Sequence, residues 1–346
     1  MRRLRKNIYG IVLAIGMCVL AGCAKSSSSL VPNVEPQADI SEESRIRQQE
    51  ETDEGKNRKE PGTDSEKEDA ECEVGSDERK ALDTLPEPEA ASEEVSYISP
   101  EGMTVESRIR QPDGYTRTAA EAGSFVEFLR TFPVKEDGSP VLLYDGREKG
   151  RQSVHAAVLE LPIAAEDLQQ CADSVMRMYA EYFYTSGQHD RIVFHFVNGF
   201  AAEYAKWRDG YRISVNGNQV SWVQSAGYDD SYETFEKYLR MVFAYAGTLS
   251  MEQETVEILP EEIQPGDVFL AGGSPGHVVM IIDVCENAQG QKAFLLAQGY
   301  MPAQEFHILI NPAHENDPWY YVEELVYPFR TPEYMFQEGS LRRLNY

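Results

Sequence analysis

Between Tyr9 and Tyr97 the chain carries no aromatic residue, although Phe, Trp and Tyr make up 10% of its 346 positions. A stretch this long without aromatics has too little apolar surface to offset the entropy of ordering it. From Glu35 to Glu94 it holds 22 Asp/Glu against 8 Lys/Arg, a net −14 within the chain's −26. Residues 23–96 are therefore expected to form a disordered, self-repelling acidic tether. The run Ser26 to Ser29 and the Pro86-Glu-Pro-Glu89 segment fit that expectation. Folding is confined to residues 97–346, long enough for a single globular α+β domain with a substantial core. The acidic balance argues against a nucleic-acid partner.

The first residues have the layout of a secretory signal spanning 1–22. Arg2, Arg3, Arg5 and Lys6 give a positive start, and Ile11 to Leu20 is an apolar run too short for a comfortable membrane span. Leu20-Ala21-Gly22-Cys23 resembles the lipobox of bacterial lipoproteins. The resemblance implies that Cys23 is diacylated and becomes the new N-terminus. The protein would then be held at the extracytoplasmic face of the cell membrane by lipid on Cys23. The other reading is an ordinary signal peptide, or a short anchor, with an incidental cysteine.

Cysteine usage is lean for an exported chain. Cys18 leaves with the leader and Cys72 lies in the tether, so only Cys171 and Cys285 fall in the folded part. They are a disulfide, two inert thiols, or one catalytic thiol and a bystander.

Elements of both periods follow. Ser124-Phe-Val-Glu127 is a capping box opening a short helix with Phe125, Phe128 and Leu129 inward. Val141 to Tyr144 and Val154 to Leu161 read as strands. Ala164 to about Tyr184 reads as an amphipathic helix with an apolar stripe Leu168, Cys171, Val175, Met178, Tyr179, Tyr182, and Glu166 and Asp167 suit its N-terminal dipole. Arg191 to Val197 reads as a strand, and Tyr211 to Val223 as a hairpin about Asn216-Gly217. Asp230-Ser-Tyr-Glu233 is a second capping box, opening a helix that stops near Gly247. Four apolar runs come after it: Asp267 to Ala271, His277 to Val284, Lys292 to Gln298 and Glu305 to Ile310. The expectation is an α+β fold with helices packed on an antiparallel sheet.

The chemistry concentrates in Ile263 to Asp283. Pro265-Gly266-Asp267 turns into a strand, Gly272-Gly273-Ser274-Pro275-Gly276 is a loop with wide backbone freedom, and His277 heads the next apolar run. This local pattern, over residues 263–298, resembles the central part of the NlpC/P60 and CHAP-type amidase cysteine peptidases. The resemblance implies a papain-like fold, with His277 as general base and Gln298 as the group that orients its ring; Asp283 is the runner-up for that role. The nucleophile of those enzymes is a Cys near a helix start, where the helix terminus and an imidazolium lower the thiol's pKa. Cys171 is the candidate. Against it, Cys171 lies on an apolar stripe, where a buried cysteine is commonplace. The separation of 106 residues from His277 also requires an insertion.

Several longer motifs resemble one bacterial family more closely. They are Gln169-Gln-Cys-Ala-Asp-Ser-Val-Met-Arg177, Asn198-Gly-Phe200, Trp207-Arg-Asp-Gly-Tyr-Arg212, Tyr245-Ala-Gly-Thr-Leu-Ser250, Gly272 to His277, and Ala297-Gln-Gly-Tyr-Met-Pro-Ala-Gln304. Together they are similar to the domain of unknown function 4846, over about Arg108 to Phe336. The resemblance implies an exported or lipoprotein-like protein and assigns no activity.

Substrate-binding roles are open to Trp207, Arg212, Ser274 and Tyr300. Trp207 and Arg212 are either part of a cleft or a packing pair; Gln298, Tyr300 and Gln304 cluster after a strand end, where cleft walls are built. His307 alternates with Phe306 and Ile308 and is expected on an exposed face. No tight metal-ligand spacing, phosphate loop, dinucleotide fingerprint or nucleophile elbow occurs, so neither metal nor cofactor is expected. Two functions remain: a lipid-anchored cysteine hydrolase of envelope peptide or amide bonds, or a non-catalytic envelope module binding cell-wall peptide in a degenerate peptidase-like cleft.

Overall fold

The computed structural model describes residues 96–346. The leader, Cys23, Cys72 and the body of the acidic tether lie outside the described residues. The helices are α1 (Val105–Arg108), α2 (Phe125–Thr131), α3 (Cys171–Thr185), α4 (Tyr204–Arg208), α5 (Tyr232–Tyr245) and α6 (Thr248–Gln253). α2 opens where its capping box directs, with Ser124 accepting the Glu127 N–H at 3.2 Å. α5 is capped by Ser231, not Asp230, its hydroxyl accepting the Thr234 N–H. None of the described helices is long and apolar enough to cross a membrane.

α3 begins at Cys171 and not at Ala164. Asp167 is drawn away from any helical turn because its carboxylate accepts the Ala303 N–H at 2.7 Å. Gln170 then becomes the cap residue, and Asp173 accepts its N–H at 3.0 Å. Cys171 is thus the first residue of the helix rather than part of its second turn.

The strands are β1 (Tyr115–Arg117), β2 (His155–Val158), β3 (Val193–His195), β4 (Ala201–Glu203), β5 (Tyr211–Asn216), β6 (Gln219–Gln224), β7 (Thr255–Glu257), β8 (Val268–Ala271), β9 (His277–Asn287), β10 (Lys292–Gln298), β11 (His307–Leu309), β12 (Tyr320–Tyr321), β13 (Phe329–Arg330), β14 (Met335–Phe336) and β15 (Leu341–Leu344). The expected strand at Val141 to Tyr144 reduces to isolated bridges at Leu142 and Leu143, and that at Arg191 to Val197 to β3. β5 and β6 form the expected hairpin, with Gly217 in the left-handed region at φ 57°.

The main sheet runs β2-β11-β10-β9-β8-β15-β7, with β1 added to β9 and β12 to β10. Every pairing in it is antiparallel. The mixed α+β class holds, with the sheet dominant. Nine consecutive residues of β9, His277 to Cys285, are buried, so this strand is covered on both faces.

Strand periodicity sorts the core into two layers. Val278, Met280 and Ile282 of β9, with Leu270, Leu295 and Ala297, pack against Val175, Met176 and Met178 of α3. Val279 and Ile281, with Phe269 and Leu296, pack against Phe329 and Phe336 of the small β13–β14 hairpin. Helices cover one face of the sheet, and the segment after residue 320 covers the other.

Candidate functional site

The Gly272–Gly276 loop fixes where β9 begins. A Cβ at Gly276 would fall 2.3 Å from Thr248 Oγ1 and 2.6 Å from the Gly273 carbonyl, so only glycine lets α6 close on the loop. Ser274 sits in this loop. His277, first in β9, is 3% exposed, and Gln298, last in β10, is fully buried.

These two residues meet. His277 Nε2 lies 2.8 Å from Gln298 Oε1. Gln298 Nε2 donates to Glu333 Oε2 at 2.6 Å and lies 3.5 Å from His307 Nε2. His307 Nδ1 in turn lies 2.8 Å from the Glu305 carbonyl, which can only accept. A carboxylate also accepts only, so the Gln298 amide has one orientation, with its oxygen toward His277. The His277 ring is then protonated on Nε2, and Nδ1 is left with the lone pair.

The same oxygen, Glu333 Oε2, also accepts from Lys149 Nζ at 2.5 Å, a largely buried pair. Burial pulls the Lys149 ammonium below its ordinary range, against the pull of Glu333. His307, expected on an exposed face, is fully buried and wedged beside Gln298. Burial likewise drives His307 well below the usual imidazole range, and His277 down to about 4. Both rings are neutral at neutral pH.

Aromatic rings wall in His277. Tyr300 meets it edge-on at 4.9 Å, Tyr334 lies at 4.9 Å, and Phe336 stacks at 6.0 Å. Tyr300 and Tyr334 are part of the lining, with Arg151, Arg330, Thr331, Pro332, Glu333 and Met335, of an open cleft of about 560 Å³. Tyr300 is thus the expected substrate-binding residue that does line a cleft.

Cys171 is not brought to this cluster. The thiol packs with the helix-side layer, and the N–H of Val278 points at its sulfur. Val278 and His277 are neighbours in a strand, so their side chains leave the sheet on opposite faces. His277 contacts Tyr334 and Phe336 on the face away from α3. Among the described residues no hydrogen bond joins thiol and imidazole. Burial first, and the nearby Asp173 carboxyl second, push the thiol up to about 11. The thiolate expected of a catalytic Cys171 is not favoured here.

Other expectations also resolve. Asp283 does not approach His277; it is clamped by Arg117 Nε and Arg130 Nε, each at 2.6 Å. It lies where β9 and β10 slip register, which turns its carboxylate toward those arginines. Trp207 and Arg212 are a packing pair, with the guanidinium 4.5 Å over the indole and bonded to the Trp207 carbonyl at 2.7 Å. Cys171 and Cys285 are both free thiols. Among the described residues no group of three or more His, Cys, Asp or Glu is placed to hold a metal. Sequence reasoning missed Lys149 and Glu333, which no local motif marks.

A family model described as "Domain of unknown function (4846)" matches residues 105–343. The chain belongs to this family. The match spans α1 through β15, so the His277–Gln298–Glu333 cluster lies wholly inside the family domain. No curated protein and no solved structure matches the chain.

Proposed function

We propose that this protein is a non-catalytic binding module of the cell envelope, tethered through lipid on Cys23, that takes its ligand in the cleft beside His277. The membrane assignment is supported by the positive start, short apolar run and Leu20-Ala-Gly-Cys23 pattern. That location makes a cell-wall peptide the implied partner. The observation that carries the binding reading is the division of Cys171 and His277 between the two faces of β9. What remains of the peptidase-like pattern is the His277–Gln298 pair, whose role here is to anchor the aromatic wall of the cleft.

A cysteine hydrolase is the second reading. It is favoured by Cys171 opening a 15-residue helix, with backbone N–H groups of Ala172 and Val278 directed at its sulfur. Alkylation separates the two. On the native chain, iodoacetamide at neutral pH should modify Cys171 no faster than an ordinary thiol, with the rate climbing only toward pH 11. His277→Ala should leave that rate unchanged. Rapid alkylation near pH 7 that slows in His277→Ala would overturn the binding reading in favour of the hydrolase.

A further inference from the structure

We infer that the cleft binds a ligand presenting an oxyanion group, carboxylate or phosphate, on an apolar body. This deepens the binding-module reading and rests on it. Of the residues lining the cleft, Glu333 is the one carboxylate. Its charge is already engaged by Lys149 at 2.5 Å and by the Gln298 amide at 2.6 Å. Arg151 and Arg330 line the same cleft, and both are exposed.

Neither guanidinium has a carboxylate partner among the described residues. Arg151 spends one N–H on the Pro332 carbonyl at 2.9 Å, and Arg330 reaches only the Met335 sulfur at 3.6 Å. Each guanidinium carries five N–H donors in a planar fork, so most of its donors remain open to a ligand in the cleft. Forks of this kind match the paired oxygens of carboxylate and phosphate.

The surroundings sharpen the contrast. After Glu94 the chain holds 36 Asp/Glu against 19 Lys/Arg, so most of the domain repels an anion. A cationic cleft on such a body concentrates anions locally. The rest of the lining suits an apolar group: the rings of Tyr300 and Tyr334, and Met335, which is 50% exposed.

The test is calorimetric titration of the full chain with three probes that each carry a phenyl ring: N-acetylphenylalanine, its amide, and phenyl phosphate. At low salt the two anions should bind at least about tenfold tighter than the amide. The tighter of the two identifies the oxyanion source. The double variant Arg151→Ala/Arg330→Ala should lose that preference while keeping the parent melting temperature. If the preference survives in the double variant, or neither anion binds at millimolar concentration, the inference is wrong. If all three probes bind alike and Met335→Ala weakens all three, the cleft reading stands and the oxyanion inference falls.

Discussion

Cys171 touches the Val278 side of β9, while His277, one residue earlier, projects from the other face into a nest of Tyr300, Tyr334 and Phe336. A separation of one residue in a strand is enough to send two side chains into different layers of the core. The Gly-His-Val motif is locally intact, and so is the hydrogen bond from His277 to Gln298. The thiol packs with the other layer of the core.

Acid should destabilise the domain through His277. The ring is held at about 4 when folded, against an ordinary value near 6.5 when unfolded, so the unfolded chain takes up the proton first. The stability gained by keeping it neutral is intact above pH 6.5 and is lost as pH falls toward 4. Between pH 7 and pH 4 the parent should lose about 3 kcal/mol more than His277→Gln does. Urea titrations across that range measure the difference, and parallel curves for the two proteins would refute the assignment.

Removing Glu333 should be costly. Glu333→Ala strands the Lys149 ammonium, 8% exposed, and leaves a Gln298 donor unmet. Breaking such a buried pair costs about 3 kcal/mol, whereas replacing both ions with apolar groups costs far less. Lys149→Met/Glu333→Leu should therefore be more stable than Glu333→Ala alone. The order of their urea midpoints decides it.

Gly299 is a close-approach glycine between β10 and α3. A Cβ there would sit 2.4 Å from Ser174 Oγ and 2.9 Å from the Gln170 carbonyl. Gly299→Ala should cost about 1–3 kcal/mol by overpacking. Adding Ser174→Ala should recover only part, because the Gln170 backbone cannot yield. A melting temperature equal to the parent's would show that the helix start shifts freely.

The proposed lipid anchor depends on Cys23. Metabolic labelling with a fatty-acid analogue should mark the protein, and Cys23→Ala should abolish the label. A labelled mutant would place any acyl chain elsewhere.

Long apolar runs were the legible part of this fold. Lys292–Gln298 is β10 to the residue, and His277 does head β9, because a buried central strand writes its limits in hydrophobicity. The hairpin at Asn216-Gly217 is equally plain, since its turn chemistry is local. The start of α3 was misread because tertiary contacts decide it: Asp167 looks like a helix-start acid but bonds to Ala303, 136 residues away. Strands of two to four residues such as β7, β12 and β15 are too short to show a period. In the site, the pairing of His277 with Gln298 was implied by the local resemblance over residues 263–298, and the two side chains do meet. The partners that fix it were not, since Lys149 and Glu333 lie 184 residues apart and only the folded sheet brings them together. Nor does alternation alone say which face of β9 a helix will cover.

β15 is the latest strand of the main sheet in chain order, yet it is seated between β8 and β7 rather than at an edge. β7, spoken for by Thr255 to Glu257, waits more than eighty residues for Arg342, Arg343 and Leu344 to arrive. Until they do, β8 presents an open ladder on that side and the Asp267 carboxylate lacks its Arg343 partner. Assembly of this sheet thus resembles a zip whose closing tooth is fitted last. A chain emerging in order can complete the pairing of β7 and β8 only after β15 has followed them.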